Sequence, residues 1–189
     1  MSLVLASRSP RRAELLTAAN IPFTVRVADI DESPRTGEMP ETYVLRLASE
    51  KAAAVTATSD EIVLAADTTV VLDGHILGKP DDREDALRMV QSLAGRSHEV
   101  MTGVCLRQGD HRECELSRTT VWFGPVSPEQ IQQYVDSGEP MDKAGAYGIQ
   151  GIASRYIDRI EGSYTNVVGL PVALVFEMLR HFSNAKLSL

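Results

Sequence analysis

Residues 62–77 read Ile-Val-Leu-Ala-Ala-Asp-Thr-Thr-Val-Val-Leu-Asp-Gly-His-Ile-Leu. The first five residues of this stretch are apolar, which predicts a buried strand that ends at Asp67. Asp73-Gly74 lies between two short apolar runs and favours a type I′ turn, so a hairpin should follow the strand. An aspartate directly after an apolar strand is well placed to act as a general base or a metal ligand. The alternative is an aspartate that only caps the next turn.

Helix and strand patterns alternate on both sides of this stretch, which indicates an α/β or mixed α+β fold. No internal repeat or linker is visible, so residues 1–189 are expected to form a single domain, either one globular body or two small lobes sharing a core. Ser127 and Gln130 have the spacing of a capping box. The predicted strands are 3–6, 23–27, 62–66, 69–72, 75–77, 98–107, 112–123 and 156–160, and the predicted helices are 10–19, 40–57, 82–93, 127–137 and 171–182.

The net charge of −7 makes the chain a poor general binder of nucleic acid or anionic membranes. Any anionic ligand should therefore be small and bound by a local basic cluster. No secretory signal and no apolar run of about 20 residues is visible, so a cytoplasmic location is expected. Cys105 and Cys114 lack the spacing of a zinc site, and two reduced thiols are expected, with a lone disulfide as the alternative.

The stretch Ala-Ser-Arg-Ser-Pro-Arg-Arg at 6–12 lies between a predicted strand and the start of a predicted helix. Ser9 is a good N-cap, and Pro10 fits the first helical position. The free N–H groups and the positive dipole end at such a start can bind an anion. Arg11 and Arg12 add positive charge where the dipole disfavours it, which favours a bound anion. The alternative is a solvated basic turn.

Two further stretches carry candidate binding groups. Lys79, in Gly-Lys-Pro at 78–80, and Lys51 could add positive charge near Asp67, although a single exposed lysine is usually only solvated. The small residues of 142–151 allow close approach of backbone to a ligand. Within that stretch, Gln150 carries the amide donor and acceptor that can pair with the edge of uracil or thymine. The alternative is a structural loop, and no P-loop, zinc-protease or serine-hydrolase motif is present.

Five stretches follow one another along the chain in an order typical of a known family. They are residues 5–12 (Leu-Ala-Ser-Arg-Ser-Pro-Arg-Arg), 66–69 (Ala-Asp-Thr-Thr), 78–80 (Gly-Lys-Pro), 143–151 (Lys-Ala-Gly-Ala-Tyr-Gly-Ile-Gln-Gly) and 162–171 (Gly-Ser-Tyr-Thr-Asn-Val-Val-Gly-Leu-Pro). They resemble the Maf family of nucleotide pyrophosphatases over nearly the whole chain. The resemblance implies a two-lobed α/β fold with a central mixed sheet flanked by helices, similar to the inosine-triphosphate pyrophosphatases, with an active-site cleft between the lobes.

The resemblance also implies a reaction and a set of site residues. The reaction is hydrolysis of a nucleoside triphosphate between the α- and β-phosphates with a divalent cation, Mg²⁺ or Mn²⁺. The loop at 143–151 is similar to that of the subgroup acting on dTTP and UTP, a house-cleaning activity on nucleotide pools. The implied catalytic residue is Asp67, with the metal held by Asp67 and Glu32, and the implied substrate-binding residues are Arg11, Arg12, Lys51, Thr68, Lys79, Lys143 and Gln150.

Two alternatives stay open from the sequence. One is the same fold acting on 7-methyl-GTP or a non-canonical purine triphosphate, against which Gln150 and the 143–147 stretch argue. The other is a non-enzymatic regulator of cell division and septum formation, which would not need Asp67, Lys79 and Arg12 all present. A homodimer is also compatible with the sequence, but no pattern identifies an interface.

Overall fold

A computed structural model describes residues 2–27 and 29–184. The chain divides into two compact units. Unit 1 comprises Met1–Asp67, Thr102–Ser117 and Gly169–Leu189, and unit 2 comprises Thr68–Met101 and Arg118–Val168. The strands are β1 (Ser2–Leu5), β2 (Thr24–Val25), β3 (Glu61–Leu72), β4 (His75–Leu77), β5 (Ser97–Gln108), β6 (His111–Phe123) and β7 (Ile157–Glu161). The α-helices are α1 (Pro10–Ala18), α2 (Pro40–Ala54), α3 (Arg83–Leu93), α4 (Pro128–Asp136), α5 (Tyr164–Val168) and α6 (Val172–Asn184).

The strands form a mixed sheet. Its order is β2-β1-β3-β5-β6-β7, and β4 pairs with β3. β1 pairs in parallel with both β2 and β3, whereas the β3–β4 and β6–β7 pairs are antiparallel. The predicted fold class, a mixed central sheet flanked by helices, is therefore confirmed.

The core of unit 1 follows the alternation of side chains along β1. Leu3 and Leu5 point to one face of the strand and pack in a cluster with residues of α1 and α6. Val4 points to the opposite face and packs with Ala48 and Ala52 of α2. Because a strand presents successive side chains to opposite faces, unit 1 has helices on both sides of its strands.

Helix α2 lies very close to β5. A Cβ atom added at Gly103 of β5 would overlap the backbone carbonyl of Val44 in α2. Only glycine permits this approach, because any other residue would push the helix and strand apart. Gly103 therefore fixes the distance between α2 and the sheet.

The core of unit 2 forms one cluster of buried apolar residues. Helices α3 and α4 contact each other and contribute Met89, Val90 and Tyr134 to it. The hairpin predicted around Asp73-Gly74 is confirmed, because both residues have positive φ values, 51° and 79°. The capping box of Ser127 and Gln130 at the start of α4 is also present.

Three predictions from the sequence are corrected, and one short helix was missed. β3 does not end at Asp67 but continues to Leu72, and the strand predicted at 23–27 shortens to Thr24–Val25. The short helix α5 was not predicted. Cys105 and Cys114 form a disulfide and are not the two reduced thiols expected.

A single domain over 1–189 stays a prediction. None of the helices described between residues 2 and 184 is long and apolar enough to cross a membrane.

Candidate active site

Asp67 lies within β3, and its carboxylate is bound by a lysine of α2. It is 7% exposed, and its Oδ1 lies 2.7 Å from Nζ of Lys51. Residues 62–66 before it and 69–72 after it along β3 are also buried, so the strand itself holds Asp67 at a fixed place. The result is a carboxylate whose orientation is set both by a continuous strand and by an ion pair.

Lys51 binds a second carboxylate. Its Nζ lies 2.9 Å from Oε1 of Glu32, so one ammonium joins Glu32 and Asp67. Tyr43, also on α2, donates its hydroxyl to the backbone carbonyl of Glu32 at 3.0 Å. Burial, followed by the nearby charges of Asp67 and Glu32, raises the pKa of Tyr43 to about 12. The hydroxyl therefore keeps its proton and remains a donor at neutral pH.

Arg12 is anchored beside this pair of carboxylates. Its Nε donates to the carbonyl of Gly169 and its Nη1 to the carbonyl of Ala66, both at 2.8 Å, and Nη1 also lies 3.1 Å from Oγ of Ser7. Burial lowers the pKa of Arg12, while the charge of Asp67 acts in the opposite direction. We call Arg12, Glu32, Lys51 and Asp67 the charged cluster; all four belong to unit 1.

The start of α1 differs in detail from the sequence prediction. Ser9 is the N-cap, but its side chain makes no capping hydrogen bond. Its backbone N–H instead donates to Oγ of Ser7 at 3.2 Å. Arg11 lies in the first turn next to Arg12, and its like charge contributes to lowering the pKa of Arg12.

The two carboxylates of the charged cluster fit a hard divalent cation. Carboxylate oxygens are the ligands that Mg²⁺ prefers, and Mg²⁺ sites commonly use one or two carboxylates together with substrate phosphates. Over residues 2–27 and 29–184, no group of three or more His, Cys, Asp or Glu side chains could hold a metal. Within the charged cluster, Glu32 and Asp67 are the two carboxylates, and both are paired with the ammonium of Lys51.

Three of the predicted binding residues of unit 2, Lys79, Lys143 and Gln150, lie on or beside a glycine-rich loop, residues 143–151. The backbone N–H of Gly145 donates to the carbonyl of Gly78 at 2.9 Å, which joins this loop to the turn that carries the exposed Lys79. Gln150 is exposed and Thr68 is half-buried. The ammonium of Lys143 donates to the carbonyl of Glu139 and to the carboxylate of Asp142, both at 2.6 Å.

Buried rings support the glycine-rich loop. The hydroxyl of Tyr147 lies 2.7 Å from Nε2 of His98, and both rings contact Phe123 edge to face. Burial lowers the pKa of His98 to about 4 and raises the pKa of Tyr147. Gly145 has φ of +66°, and a Cβ atom there would lie 2.7 Å from the Val70 side chain. The loop conformation therefore depends on packing and on one glycine.

A family model described as Maf-like protein matches residues 2–182. The chain belongs to the Maf-like family. This Maf-like chain is 51% identical to the dTTP/UTP pyrophosphatase of Koribacter versatilis over 181 residues, which covers 95% of this chain and 94% of the relative. It is 53% identical to the dTTP/UTP pyrophosphatase of an Anaeromyxobacter species over 183 residues, covering 94% and 88%.

A solved structure supports the fold of this Maf-like chain. The HAM1 protein of Coxiella burnetii superposes with a TM-score of 0.52 at 14% identity, covering 96% of this chain and 99% of that one. At this low identity the likeness concerns the fold alone.

The structure assigns a packing role to one of the motifs that the family resemblance rests on. Asn166, in the 162–171 stretch, is fully buried and donates its side-chain amide to the carbonyl of Val100 and to Oγ1 of Thr119, both at 3.0 Å. Oγ1 of Thr119 also accepts from the backbone N–H of Ser163 at 3.0 Å. These bonds join α5 to β5 and β6 within unit 2.

Sequence reasoning missed Tyr43 and gave no role to His98. Tyr43 precedes Lys51 by eight residues, a spacing that places both on one face of a helix, so the helical pattern of 40–57 carried that signal. His98 gave no comparable signal, because its partner Tyr147 is 49 residues away in the sequence.

Proposed function

We propose that this Maf-like chain hydrolyses dTTP and UTP to the nucleoside monophosphate and pyrophosphate, a house-cleaning reaction on nucleotide pools. One observation of the structure carries the proposal: Lys51 joins the carboxylates of Glu32 and Asp67 within hydrogen-bonding distance of both. Relatives that are 51% and 53% identical carry the name dTTP/UTP pyrophosphatase, and this supports the choice of reaction and substrate.

In the proposed reaction, Asp67 orients a water molecule and accepts its proton as the water oxygen bonds to the α-phosphorus. The bond from the α-phosphorus to the oxygen that bridges to the β-phosphorus breaks, and pyrophosphate leaves. Arg12, Lys51 and Lys79 offset the negative charge of the phosphates. Fixed charges of this kind supply a large part of catalysis in such sites.

A divalent cation, Mg²⁺ or Mn²⁺, belongs to the proposal, with Glu32 and Asp67 as its protein ligands. When bound, such an ion polarises phosphate oxygens and offsets their charge. The substrate-binding roles of Arg11, Thr68, Lys143 and Gln150 are part of the same proposal. Because Lys143 is bound by Glu139 and Asp142, its role includes holding the loop that presents Gln150. A cytoplasmic location, a homodimer and the absence of nucleic-acid or membrane partners stay predictions.

The test is pyrophosphate release from dTTP, UTP, CTP, ITP and 7-methyl-GTP with Mg²⁺ or Mn²⁺ present. We expect preferential turnover of dTTP and UTP. Turnover of 7-methyl-GTP alone would keep the chemistry and reject the proposed base recognition. Folded protein that releases pyrophosphate from none of the five would reject the enzymatic proposal and favour the regulator of cell division.

A further inference from the structure

Glu32 lies on a segment that has no helix or strand of its own. Residues 29–39 contain neither, and the Glu32 side chain is 52% exposed. A segment of this kind samples many conformations unless other groups hold it. The contacts that hold its backbone therefore decide where the Glu32 carboxylate lies.

Two side chains of α2 hold consecutive carbonyls of this segment. The hydroxyl of Tyr43 donates to the carbonyl of Glu32 at 3.0 Å, and Nη2 of Arg46 donates to the carbonyl of Ser33 at 3.2 Å. Tyr43 and Arg46 are three residues apart, so they are neighbours on one face of the helix. Lys51, which binds the Glu32 carboxylate, extends from the same helix.

Arg46 is itself fixed in place by acidic side chains. Its Nε and Nη2 bind the two carboxylate oxygens of Glu38 at 2.6 and 2.7 Å, and its Nη1 binds Glu50 at 3.1 Å. The side chains of Arg46 and Glu38 are only 11% and 5% exposed. A two-point pairing of guanidinium with carboxylate restricts both groups to one geometry. The hydrogen bond to Ser33 therefore comes from a donor with little freedom.

We propose that Tyr43 and Arg46 are positioning residues for Glu32, which hold its backbone so that its carboxylate stays beside Asp67 for the divalent cation. The proposal rests on the proposed function, in which Glu32 and Asp67 are the metal ligands. Neither residue touches the substrate; both act through the Glu32 backbone. Loss of groups that orient a metal ligand typically weakens metal affinity about 10- to 100-fold.

The experiment measures binding of Mn²⁺ alone to the full chain without nucleotide, from the electron paramagnetic resonance signal of free Mn²⁺. Tyr43→Phe and Arg46→Lys each remove one donor to the segment. Two matched control substitutions remove hydrogen bonds of the same kind at other places in the chain. Tyr156→Phe loses a hydroxyl that donates to the carbonyl of Gln130, and Arg26→Lys breaks a two-point pair with Glu61 plus a bond to the carbonyl of Thr56.

We expect Tyr43→Phe and Arg46→Lys to raise the Mn²⁺ dissociation constant about tenfold and both controls to leave it unchanged. The metal concentration for half-maximal turnover should rise in parallel, with the KM for dTTP at saturating metal unchanged. Circular dichroism and urea unfolding verify that each variant is folded. If Arg46→Lys does not fold, Tyr43→Phe decides alone, because it removes only one hydroxyl.

Three results would overturn the proposal. The first is normal Mn²⁺ affinity in folded Tyr43→Phe, and the second is an equal loss in the controls. The third is identical Mn²⁺ binding by the unaltered chain and by Glu32→Gln, since Glu32 is then no ligand. Turnover of dTTP and UTP by the unaltered chain tests the proposed function separately, so the two failures are distinguishable.

Discussion

The charged cluster of unit 1 and the glycine-rich loop of unit 2 hold their candidate site residues by different means. In the charged cluster, side chains fix one another through ion pairs, as Lys51 does with Glu32 and Asp67 at 2.9 and 2.7 Å. In the loop, the backbone is held by φ of +66° at Gly145, by its bond to Gly78 and by the buried ring of Tyr147. The loop also includes Ala146 at φ of +58°.

The two regions should therefore tolerate different kinds of substitution. A polar network fails when one charge or donor is removed, because its partner is left unpaired. A packed loop fails when volume or backbone conformation changes, whatever the charge. The charged cluster should therefore respond to isosteric polar substitutions, and the glycine-rich loop to added methyl groups.

The largest effect is expected from Asp67→Asn. The change keeps the shape of the side chain but removes the charge paired with Lys51 and the proposed proton acceptor. We expect turnover to fall about 10²- to 10⁴-fold, the usual contribution of a general base, with the fold intact by circular dichroism. Asp73→Asn, which breaks an ion pair with Arg96 in unit 2, is the matched control and should keep normal turnover. Near-normal turnover of Asp67→Asn would remove Asp67 from the mechanism.

The second effect concerns acid stability of unit 2. The pKa of His98 falls from 6.5 to about 4 on folding, because burial disfavours the charged ring. At a pH between these two pKa values, His98 is therefore protonated in the unfolded chain but not in the folded chain. Stability should fall as the pH drops from 6.5 to 4, by about 3 kcal/mol, as measured by urea unfolding at each pH.

His98→Phe should lose this pH dependence, because phenylalanine does not titrate. The buried hydroxyl of Tyr147 then loses its partner, which lowers stability equally at every pH. Glu38→Gln in unit 1 is the control. The Arg46 ion pair lowers the pKa of Glu38 from 4.5 to about 2, so the stability that it contributes is present above 4.5 and is lost at lower pH. Glu38→Gln should therefore still lose stability between pH 6.5 and 4.5, as the unaltered chain does. Equal slopes in the unaltered chain and His98→Phe would contradict the role of His98.

The third effect compares two glycines of unit 2 that have positive φ. Alanine at either position is strained by the positive φ. The methyl group of alanine at position 74 meets no atom within 4 Å, whereas the methyl group at position 145 would lie 2.7 Å from the Val70 side chain. We expect Gly74→Ala to cost about 1 kcal/mol of unfolding free energy. Gly145→Ala should cost about 2 kcal/mol more, from overpacking. Equal losses by urea unfolding would mean that the loop is not held by this packing.

The smallest effect tests base recognition by Gln150. Gln150→Glu replaces the amide donor by a second acceptor, so the N3–H and carbonyl of uracil or thymine no longer both find a partner. We expect kcat/KM for dTTP and UTP to fall about tenfold more than for ITP, since unpaired polar groups disfavour a ligand. An equal loss for all three nucleotides would instead assign Gln150 a structural role.

The sequence predicted most of the strands and helices and the hairpin because hydrophobic periodicity and turn residues are local signals, whereas the central mixed sheet was implied by the family resemblance. It failed within β3, where a break at Asp67 and Thr68 was predicted between the buried strand and the hairpin, although the structure has one continuous strand. Thr69 is 1% exposed, and the strand continues because Val70–Leu72 pair with β4. Pairing of this kind depends on residues outside the strand itself.

The disulfide could have been predicted from a signal in the sequence. Cys105 lies four residues before Gly109 and Cys114 four residues after Asp110, so the two cysteines are equidistant from the turn between β5 and β6. Residues at equal distance from a hairpin turn lie opposite each other. The anchoring of Arg12 carried no such signal, because its carbonyl partners, at Ala66 and Gly169, are 54 and 157 residues away.

The close approach of α2 to β5 at Gly103 has a consequence for saturation mutagenesis. Gly103 carries no functional group, yet any side chain there would displace the helix that presents Tyr43, Arg46 and Lys51. In a library scored by activity, position 103 should therefore be as intolerant as position 67. Abundance of folded protein would separate the two, because variants at 103 should lose folded protein whereas Asp67→Asn should not.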